Sequence, residues 1–377
     1  MKKLTGLVLV SGSEESDANI LYLSGFSAPD RFLFMRSEKR EVLVVSAMEK
    51  GRAEKVCPAK IEVFTPEELG VLKSEWGHLD RQVLAWAKQD GVERLEVGWE
   101  FPLGLCRKLE EAGLEVILKK EAVCPERAIK SAEEIAYLQK SQCAAVAAMD
   151  AAVQCILDSK IKPDGRLFFE GKPLTSEKVK QVIHTVLMQH GCLGVGTIVA
   201  GGEQAVDPHH RGSGELFAGE SIILDIFPRS EQSGYWGDLT RTVCRGTASE
   251  ALKNLYFAVE AAQAAALKKV KPGVPVAEVH KTACQVFEDR GFKTEEINGR
   301  HVGFIHGTGH GVGLEIHEVP RVGKGKEILQ TGHVITIEPG LYYPELGGVR
   351  IEDTVVVTQD GWEYLAECEK KFELLGQ

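Results

Sequence analysis

Five residues in the C-terminal half of the chain carry side chains that bind metal ions: Asp225, Asp238, His310, Glu338 and Glu352. Each lies in a short segment whose pattern predicts a strand or a tight, glycine-rich loop. Four carboxylates that converge on one cleft repel each other and lose hydration, so they need cations between them. Four carboxylates and one imidazole suit two divalent metals, and a two-metal site activates water for hydrolysis near neutral pH.

Both aspartates lie in apolar segments that predict strands. Asp225 stands within residues 222–227, and Asp238 within residues 235–243. A carboxylate in such surroundings is costly unless something pairs with it. A structural ion pair between Asp225 and Arg241 is an alternative to a metal site.

A glycine-rich segment, residues 304–320, carries His306, His310 and His317 among four glycines. Glycine lets the backbone approach a ligand closely. The segment is not an HExxH zinc helix, because the glycines oppose a stable helix. It is not a dinucleotide-binding GxGxxG loop either, because Val312 and Leu314 stand where the third glycine is required.

Glu338 and Glu352 lie in two further apolar segments, residues 334–340 and 348–355. Arg350 and Glu352 are two residues apart on the second predicted strand, so they share a face of it. A surface Arg–Glu pair on an edge strand is the alternative to a role in the cleft.

The elements around these residues predict two domains. Residues 1–122 predict a small α/β domain, and the boundary lies near Cys124-Pro125, before a second domain over residues 125–377. The first domain is predicted to contain strands Leu7–Val10, Phe32–Met35 and Glu41–Val45 and helices Glu67–Gln89 and Leu103–Ala112.

In the second domain, helices and then strands follow each other twice. Capping-box patterns at Ser131–Glu134 and Thr247–Glu250 predict two helix starts. The second of these helices is predicted to run to about Val270. The apolar spacing from Val179 predicts a third helix that stops at Gly191, and a fourth covers Val276–Arg290. The predicted strands are Gly194–Ala200, Ser221–Phe227, Tyr235–Val243, a strand around Phe304, Val334–Glu338 and Val349–Val357.

Composition excludes several classes of function. Over 377 residues, the net charge of −10 disfavours nucleic-acid binding, and 44% hydrophobic residues are typical of a globular protein. Nine scattered cysteines, without a CxxC pair, predict free thiols in a reducing compartment. No segment predicts a signal peptide or approaches the ~18 apolar residues of a membrane helix, so a cytoplasmic protein without membrane contact is expected.

Taken together, these motifs resemble those of the M24 metallopeptidases. The residues that carry the resemblance are the two aspartates, Gly309–Gly313 with His317-Glu318, Glu338–Gly340 and Arg350–Asp353. In addition, Arg127–Ile135 resembles the family's opening helix, and Asn19–Phe26 resembles the N-terminal domain of its proline-specific members. The resemblance implies an α+β protein. It would consist of a C-terminal creatinase/aminopeptidase "pita-bread" domain and a smaller N-terminal α/β creatinase-like domain.

The resemblance also implies roles for individual residues. Asp225 would bind one metal, Asp238 and Glu352 would bridge both, and His310 and Glu338 would complete the second. Glu338 would also be the general base for a metal-bridging hydroxide. His209 and His317 match catalytic histidines of the cleft, and His306 and Arg350 match substrate-binding positions. His210 is an alternative to His209, which is favoured because it follows Pro208.

Proline-specific members of this size are Xaa-Pro dipeptidases (prolidases) and Xaa-Pro aminopeptidases, and the residues do not separate the two. The implied cofactors are two divalent ions, Mn²⁺ or Co²⁺ before Zn²⁺ or Fe²⁺, and the implied assembly is a homodimer that acts on small peptides. Two alternatives are a creatinase-like C–N hydrolase and a non-catalytic pita-bread binding protein. Both classes lose metal ligands that this chain retains.

One departure from the family pattern is that twelve residues, 226–237, separate the aspartates, where relatives commonly have ten.

Overall fold

The computed structural model describes residues 3–11 and 17–376. Contacts between Cα atoms divide the chain into two compact units, Met1–Arg127 and Ala128–Gln377. The division falls close to the boundary that the sequence predicts at Cys124-Pro125. Residues 1, 2, 12–16 and 377 of the predicted domains lie outside the described residues. Within the described ranges, none of the helices combines the length and the hydropathy that a bilayer span requires.

The first unit is a six-stranded mixed sheet with helices. Its strands are β1 Thr5–Val10, β2 Leu33–Arg36, β3 Glu41–Val44, β4 Ile61–Phe64, β5 Arg94–Val97 and β6 Glu115–Leu118, in the order β4-β3-β2-β1-β5-β6. Its helices are α1 Ala18–Ser24, α2 Ala47–Val56, α3 Leu79–Asp90 and α4 Leu103–Glu111. The alternating apolar side chains of β1 and β5 pack with the fully buried Trp86 of α3.

Three predicted strands and one predicted helix of this unit are confirmed, as β1, β2, β3 and α4. The predicted helix Glu67–Gln89 is wrong over its first half, because α3 begins only at Leu79. Gly70 adopts φ +86°, which a helix cannot contain, and the Trp76 indole donates to the Val71 carbonyl across the turn that follows, at 3.0 Å. Helices α1 and α2 and strands β4, β5 and β6 were not predicted.

The second unit contains two helix pairs and two larger sheets. Its helices are α5 Ala132–Leu157, α6 Ser176–Gln189, α7 Glu250–Leu267 and α8 Val276–Asp289. Its strands are β7 Lys160–Ile161, β8 Leu167–Phe169, β9 Lys172–Pro173, β10 Cys192–Gly194, β11 Ile198–Gly201, β12 Ile222–Ile226, β13 Pro228–Ser230, β14 Leu239–Arg245, β15 Glu295–Ile297, β16 Arg300–Val302, β17 Gly309–Gly311, β18 Glu318–Val322, β19 Val334–Ile337, β20 Gly340–Tyr343, β21 Gly347–Arg350, β22 Asp353–Val357, β23 Trp362–Tyr364 and β24 Glu373–Leu374.

Each large sheet follows one helix pair along the chain. The first sheet has the strand order β11-β12-β14-β24, and the second has the order β18-β17-β19-β22-β23. Helices α5 and α6 pack on the apolar side chains of the first sheet, whereas α7 and α8 pack on those of the second. The predicted order of helices and then strands, repeated once, is therefore confirmed.

Of the two predicted helix caps in this unit, one is confirmed and one is wrong. The capping box of α5 is confirmed, since the Ser131 hydroxyl accepts from the Glu134 amide at 3.3 Å and the Glu134 carboxylate accepts from the Ser131 amide at 2.8 Å. The capping box predicted at Thr247 is wrong. Ser249 caps α7 by accepting from the Leu252 amide at 3.2 Å, because Glu373 binds the Ala248 amide at 2.8 Å and holds this segment outside the helix.

Several predicted strands are shorter than expected or interrupted. The strand predicted at Tyr235 begins only at Leu239, and Phe304 lies beyond β16. The segment Gly194–Ala200 is split between β10 and β11, and Val349–Val357 is split between β21 and β22. The interruptions lie beside the residues described next.

Candidate metal centre

The five predicted ligands line one cavity of about 660 Å³. Asp225 lies near the end of β12, His310 in β17, and Glu338 directly after β19. Asp238 precedes β14, and Glu352 stands in the break between β21 and β22. Ends and breaks of strands thus supply most of the cluster, because a residue there need not make regular ladder hydrogen bonds.

Three of the five side chains form a compact group. Ligand atoms of Asp238, His310 and Glu352 all lie within 4.8 Å of one another, and all three residues are buried. The amide of Asp238 donates to the Gln142 side chain, whose own amide donates to the Asp238 carbonyl, both at 2.8 Å. These contacts hold the Asp238 backbone outside the ladder of β14, so the strand begins later than predicted.

Glu352 is held in a similar way. Its amide donates to the Thr240 carbonyl at 3.0 Å, and its carboxylate accepts from the Thr240 hydroxyl at 2.8 Å. The carbonyl of Glu352 accepts from the Arg241 guanidinium at 2.6 Å, which takes it out of the strand ladder. Arg241 forms its buried ion pair with Asp353, also at 2.6 Å. The alternative of a structural pair between Arg241 and Asp225 is therefore wrong.

Asp225 pairs instead with Arg350, whose guanidinium donates to Oδ2 at 2.6 Å. Arg350 also donates to the Tyr342 hydroxyl at 2.9 Å and to the Thr240 hydroxyl at 3.4 Å. Because only 3% of Arg350 is exposed, the alternative of a surface pair with Glu352 is wrong. The other oxygen of Asp225, Oδ1, is buried without a hydrogen-bond partner among the described residues. Such an atom needs a ligand, and a cation supplies one.

His310 presents one nitrogen to the carboxylates. Its Nδ1 donates to the Gly311 carbonyl at 3.1 Å, so the lone pair of Nε2 is free. Nε2 lies 3.5 Å from Asp238 Oδ2 and 3.5 Å from Glu338 Oε1. Burial, followed by the neighbouring His317, lowers the pKa of His310 to about 3, so the imidazole is neutral and suited to bind a metal.

The carboxylates show the opposite tendency. Burial, and then the charge of Glu352, raises the pKa of Asp238 well above its usual value. Burial and then Glu338 do the same to Glu352, and burial raises the pKa of Glu338 to about 7. Without cations these groups must hold protons. Together with the unpartnered Asp225 oxygen, this donor set fits binding of divalent cations.

The predicted catalytic and substrate-binding residues line the same cavity. His209 is exposed there, whereas His210 is not among the lining residues and its Nδ1 accepts from the Gly212 amide at 3.0 Å. The ring of His317 stands perpendicular to that of His310, with centroids 4.3 Å apart. His306 binds the Tyr342 hydroxyl at 3.0 Å through Nε2 and the Gly307 carbonyl at 2.8 Å through Nδ1.

The sequence did not identify three features of the cavity. Arg321 lines it, and no ion pair joins Arg321 to a carboxylate of the described residues. Phe227 contributes to its wall, and the Tyr342 hydroxyl binds two of the lining residues, His306 and Arg350. Arg321 pairs directly with His310 across the sheet, and this pairing, which no single segment of the sequence shows, brings it to the cavity.

Comparison with known proteins identifies the family. The model of metallopeptidase family M24 matches residues 136–359, which contain all five predicted ligands. The chain belongs to family M24. Members of M24 are metal-dependent peptidases, so divalent ions and hydrolysis of peptide bonds are properties of this M24 protein.

Proteins similar to this M24 protein include Xaa-Pro dipeptidases and a prolidase. An Xaa-Pro dipeptidase of Pyrococcus horikoshii is 31% identical over 288 residues, 75% of each chain. The structure of an Xaa-Pro dipeptidase from Bacillus anthracis matches with a TM-score of 0.83 and 25% identity, over 99% of this chain and 95% of that one. The prolidase from Pyrococcus furiosus matches with a TM-score of 0.79 and 27% identity, over 98% and 97%. The predicted α+β pita-bread fold is thereby confirmed.

Proposed function

We propose that this M24 peptidase is an Xaa-Pro dipeptidase with a two-metal centre. The observation that carries the proposal is the cavity itself, which is lined by five candidate metal ligands and by Arg321, an arginine without an ion pair to any carboxylate of the described residues. Proline's tertiary amide and fixed ring defeat ordinary peptidases, so a dedicated cleft is required. The names of the relatives support proline as the second residue of the substrate.

Two divalent cations would be held by Asp225, Asp238, His310, Glu338 and Glu352. When bound, they supply Lewis acidity, which lowers the pKa of water and polarises a carbonyl. An oxygen-rich ligand set with one imidazole favours Mn²⁺ or Co²⁺ over the zinc of thiolate sites. Asp238, His310 and Glu352 would hold one cation together, because their ligand atoms all lie within 4.8 Å of one another.

Glu338 is the proposed general base. Its carboxylate lies in the cavity beside His310. Its backbone amide donates a hydrogen bond to the Thr308 carbonyl at 2.7 Å, which fixes the position of the residue. An Oε atom would take a proton from the attacking water and return it to the proline nitrogen as the bond breaks. This transfer gives a secondary amine on proline and a carboxylic acid on the other product, and the acid then passes its proton to the amine, so that the products are a carboxylate and a protonated proline nitrogen.

Two histidines would assist at the carbonyl. Burial and then Arg321 lower the pKa of His317, so it is neutral and can donate an N–H hydrogen bond to the developing oxyanion. His209 is exposed in the cavity, in the segment between β11 and β12, and can orient the substrate carbonyl. Both roles are proposals that rest on position in the cavity.

Arg321 favours a dipeptide over a longer substrate. Its side chain is exposed in the cavity and lacks an ion pair with any carboxylate in the described part of the chain. A dipeptide has a free carboxylate one residue beyond the scissile bond, and a guanidinium binds such a group bidentately. A longer peptide has a neutral amide at that position.

The test compares Ala-Pro, Ala-Pro-amide and Ala-Pro-Ala, with Mn²⁺ or Co²⁺ and with a chelator. We expect metal-dependent cleavage with Ala-Pro preferred, and we expect Arg321→Met to lower kcat/KM for Ala-Pro about 10- to 100-fold while Ala-Pro-amide changes little. Arg290→Met, which removes an exposed arginine outside the cavity, is the matched control. If metal binds and no Xaa-Pro bond is cleaved, proline specificity is wrong. If Arg321→Met lowers kcat/KM equally for Ala-Pro and for Ala-Pro-amide, the proposed role of Arg321 is wrong.

Two further properties are proposed. The nine cysteines are free thiols, which supports a reducing compartment such as the cytoplasm. The proposed assembly is a homodimer, and sedimentation of the metal-loaded protein tests it, since a mass of 41.3 kDa would mean a monomer.

A further inference from the structure

A β-bulge lies beside the metal ligands, where the chain passes from the strand pair β10–β13 to the first sheet of the second unit. Ile198 pairs with Asp225, and Gly194 pairs with Pro228. Between these pairs, three residues, 195–197, stand opposite two residues, 226 and 227. One extra residue on one strand is a bulge, which bends the strand and re-aims the neighbouring side chains.

The bulge is built on Gly196, which adopts φ +74°. A Cβ atom at this position would lie 3.1 Å from Cε2 and 3.2 Å from Cζ of Phe227. The tip of the phenyl ring therefore covers the glycine, and the absence of a side chain at Gly196 lets the ring come down onto the backbone. Behind the bulge, His184 of α6 contacts the Thr197 hydroxyl at 3.0 Å and holds the segment.

The ring of Phe227 faces the cavity. Phe227 and Asp225 are two residues apart in extended chain, so they point to the same side, and both line the cavity. Leu224 and Ile226 point the other way, into the core beneath α5 and α6. Phe227 is half-buried and is the largest apolar side chain among the described residues that line the cavity.

The cavity is lined from both large sheets. Ile198 of β11 and Phe227, directly after β12, lie on the side of the first sheet, whereas Arg321 comes from β18 in the second. If Arg321 receives the carboxylate of the departing residue, the residue before the scissile bond lies toward the first sheet. Its side chain then meets Phe227, two residues from the metal ligand Asp225.

We propose that Phe227, seated on Gly196, limits the size of the side chain that precedes the scissile bond and makes this wall select small apolar residues. The inference rests on the proposed dipeptidase function and adds the identity of the first substrate residue to it. The ring fills space that a larger side chain needs, and one methylene group more or less in a close-fitting apolar pocket changes kcat/KM about 10- to 200-fold.

The test uses the metal-loaded protein and the substrates Ala-Pro, Leu-Pro and Phe-Pro. In the unsubstituted protein we expect Ala-Pro to be preferred. In Phe227→Ala we expect the ratio of kcat/KM for Phe-Pro to that for Ala-Pro to rise at least about tenfold. Phe227→Leu, which keeps an apolar side chain but lacks the tip of the ring, should give an intermediate ratio. Phe257→Ala is the matched control, because that phenylalanine is 50% exposed on α7, outside the cavity.

A second measurement does not depend on proline cleavage. Calorimetry gives the affinities of the metal-loaded proteins for the hydroxamates of alanine, leucine and phenylalanine, which carry only the first residue. We expect Phe227→Ala to raise the affinity for the phenylalanine compound relative to that for the alanine compound. If Xaa-Pro peptides are cleaved and neither ranking moves in the Phe227 variants, the inference is wrong and the proposed function stands. If the hydroxamate ranking moves and no Xaa-Pro peptide is cleaved, the wall is confirmed and proline specificity is wrong.

Discussion

Replacing Arg241 with methionine should destabilise the second unit strongly. Arg241 is 2% exposed and donates to five carbonyl or carboxylate oxygens. Two of the contacts are especially short, at 2.6 Å, to the carbonyl of the metal ligand Glu352 and to Asp353. A methionine fills most of the volume and binds none of these oxygens, so four carbonyls lose a donor in a buried environment.

The magnitude follows from what remains around Asp353. Removing one partner of a buried ion pair costs about 3–5 kcal/mol. Asp353 keeps Lys370 at 2.7 Å and the Gln263 amide at 3.0 Å, which compensates part of its charge. We therefore expect Arg241→Met to lower the free energy of unfolding by about 3 kcal/mol, the lower end of that range. For a unit of this size, that lowers the melting temperature by roughly 6–12 °C.

The assay measures thermal unfolding by calorimetry. It uses the metal-free protein, so that metal binding does not stabilise the folded state. Arg166→Met is the matched control, because the pair of Arg166 with Asp164 is 40% and 51% exposed and exposed pairs contribute little. The control should leave the melting temperature unchanged. A loss below about 1 kcal/mol in Arg241→Met would show that the buried network does not hold these strands together.

Three other outcomes follow from the same contacts. Asp238→Ala and Glu352→Ala should each reduce the metal content of the purified protein, measured by elemental analysis, whereas Asp164→Ala at the surface should not; full metal content in either cleft variant would contradict the ligand assignment. Arg350→Met removes the guanidinium that binds Asp225 at 2.6 Å. Loss of a group that orients a metal ligand costs about 10- to 100-fold in metal affinity, so titration with Mn²⁺ should show a decrease of that size. An unchanged affinity would exclude the orienting role. Burial and then Lys130 lower the pKa of His333 to about 4, against ~6.5 in the unfolded chain, so its contribution to stability is complete above pH ~6.5 and is lost as the pH falls to about 4. His333→Gln should therefore reduce the change in unfolding free energy between these two pH values. Identical pH profiles of the two proteins would refute this prediction.

Much of the candidate site could be predicted because its signals are local. An aspartate inside an apolar strand, three histidines among glycines and an Arg–Glu pair two residues apart each identify themselves within a few positions. The capping box at Ser131 succeeded for the same reason, because a helix cap is decided by residues three positions apart. These rules also placed β12 and the end of α6 near Gly191, which adopts φ +66°.

The sequence by itself determined the five candidate ligands and the order of helices and strands, because hydrophobic period and capping depend on neighbours in the chain. Only the tertiary structure decided which charges meet. Asp225 pairs with Arg350, 125 residues away, and Arg241 with Asp353, 112 residues away. The same long-range contacts interrupt strands that local patterns predict as continuous, since a carbonyl bound by a distant side chain leaves the ladder. Arg321 and Phe227 likewise entered the cavity through strand pairing and a bulge, which depend on how two sheets fold and not on any one segment.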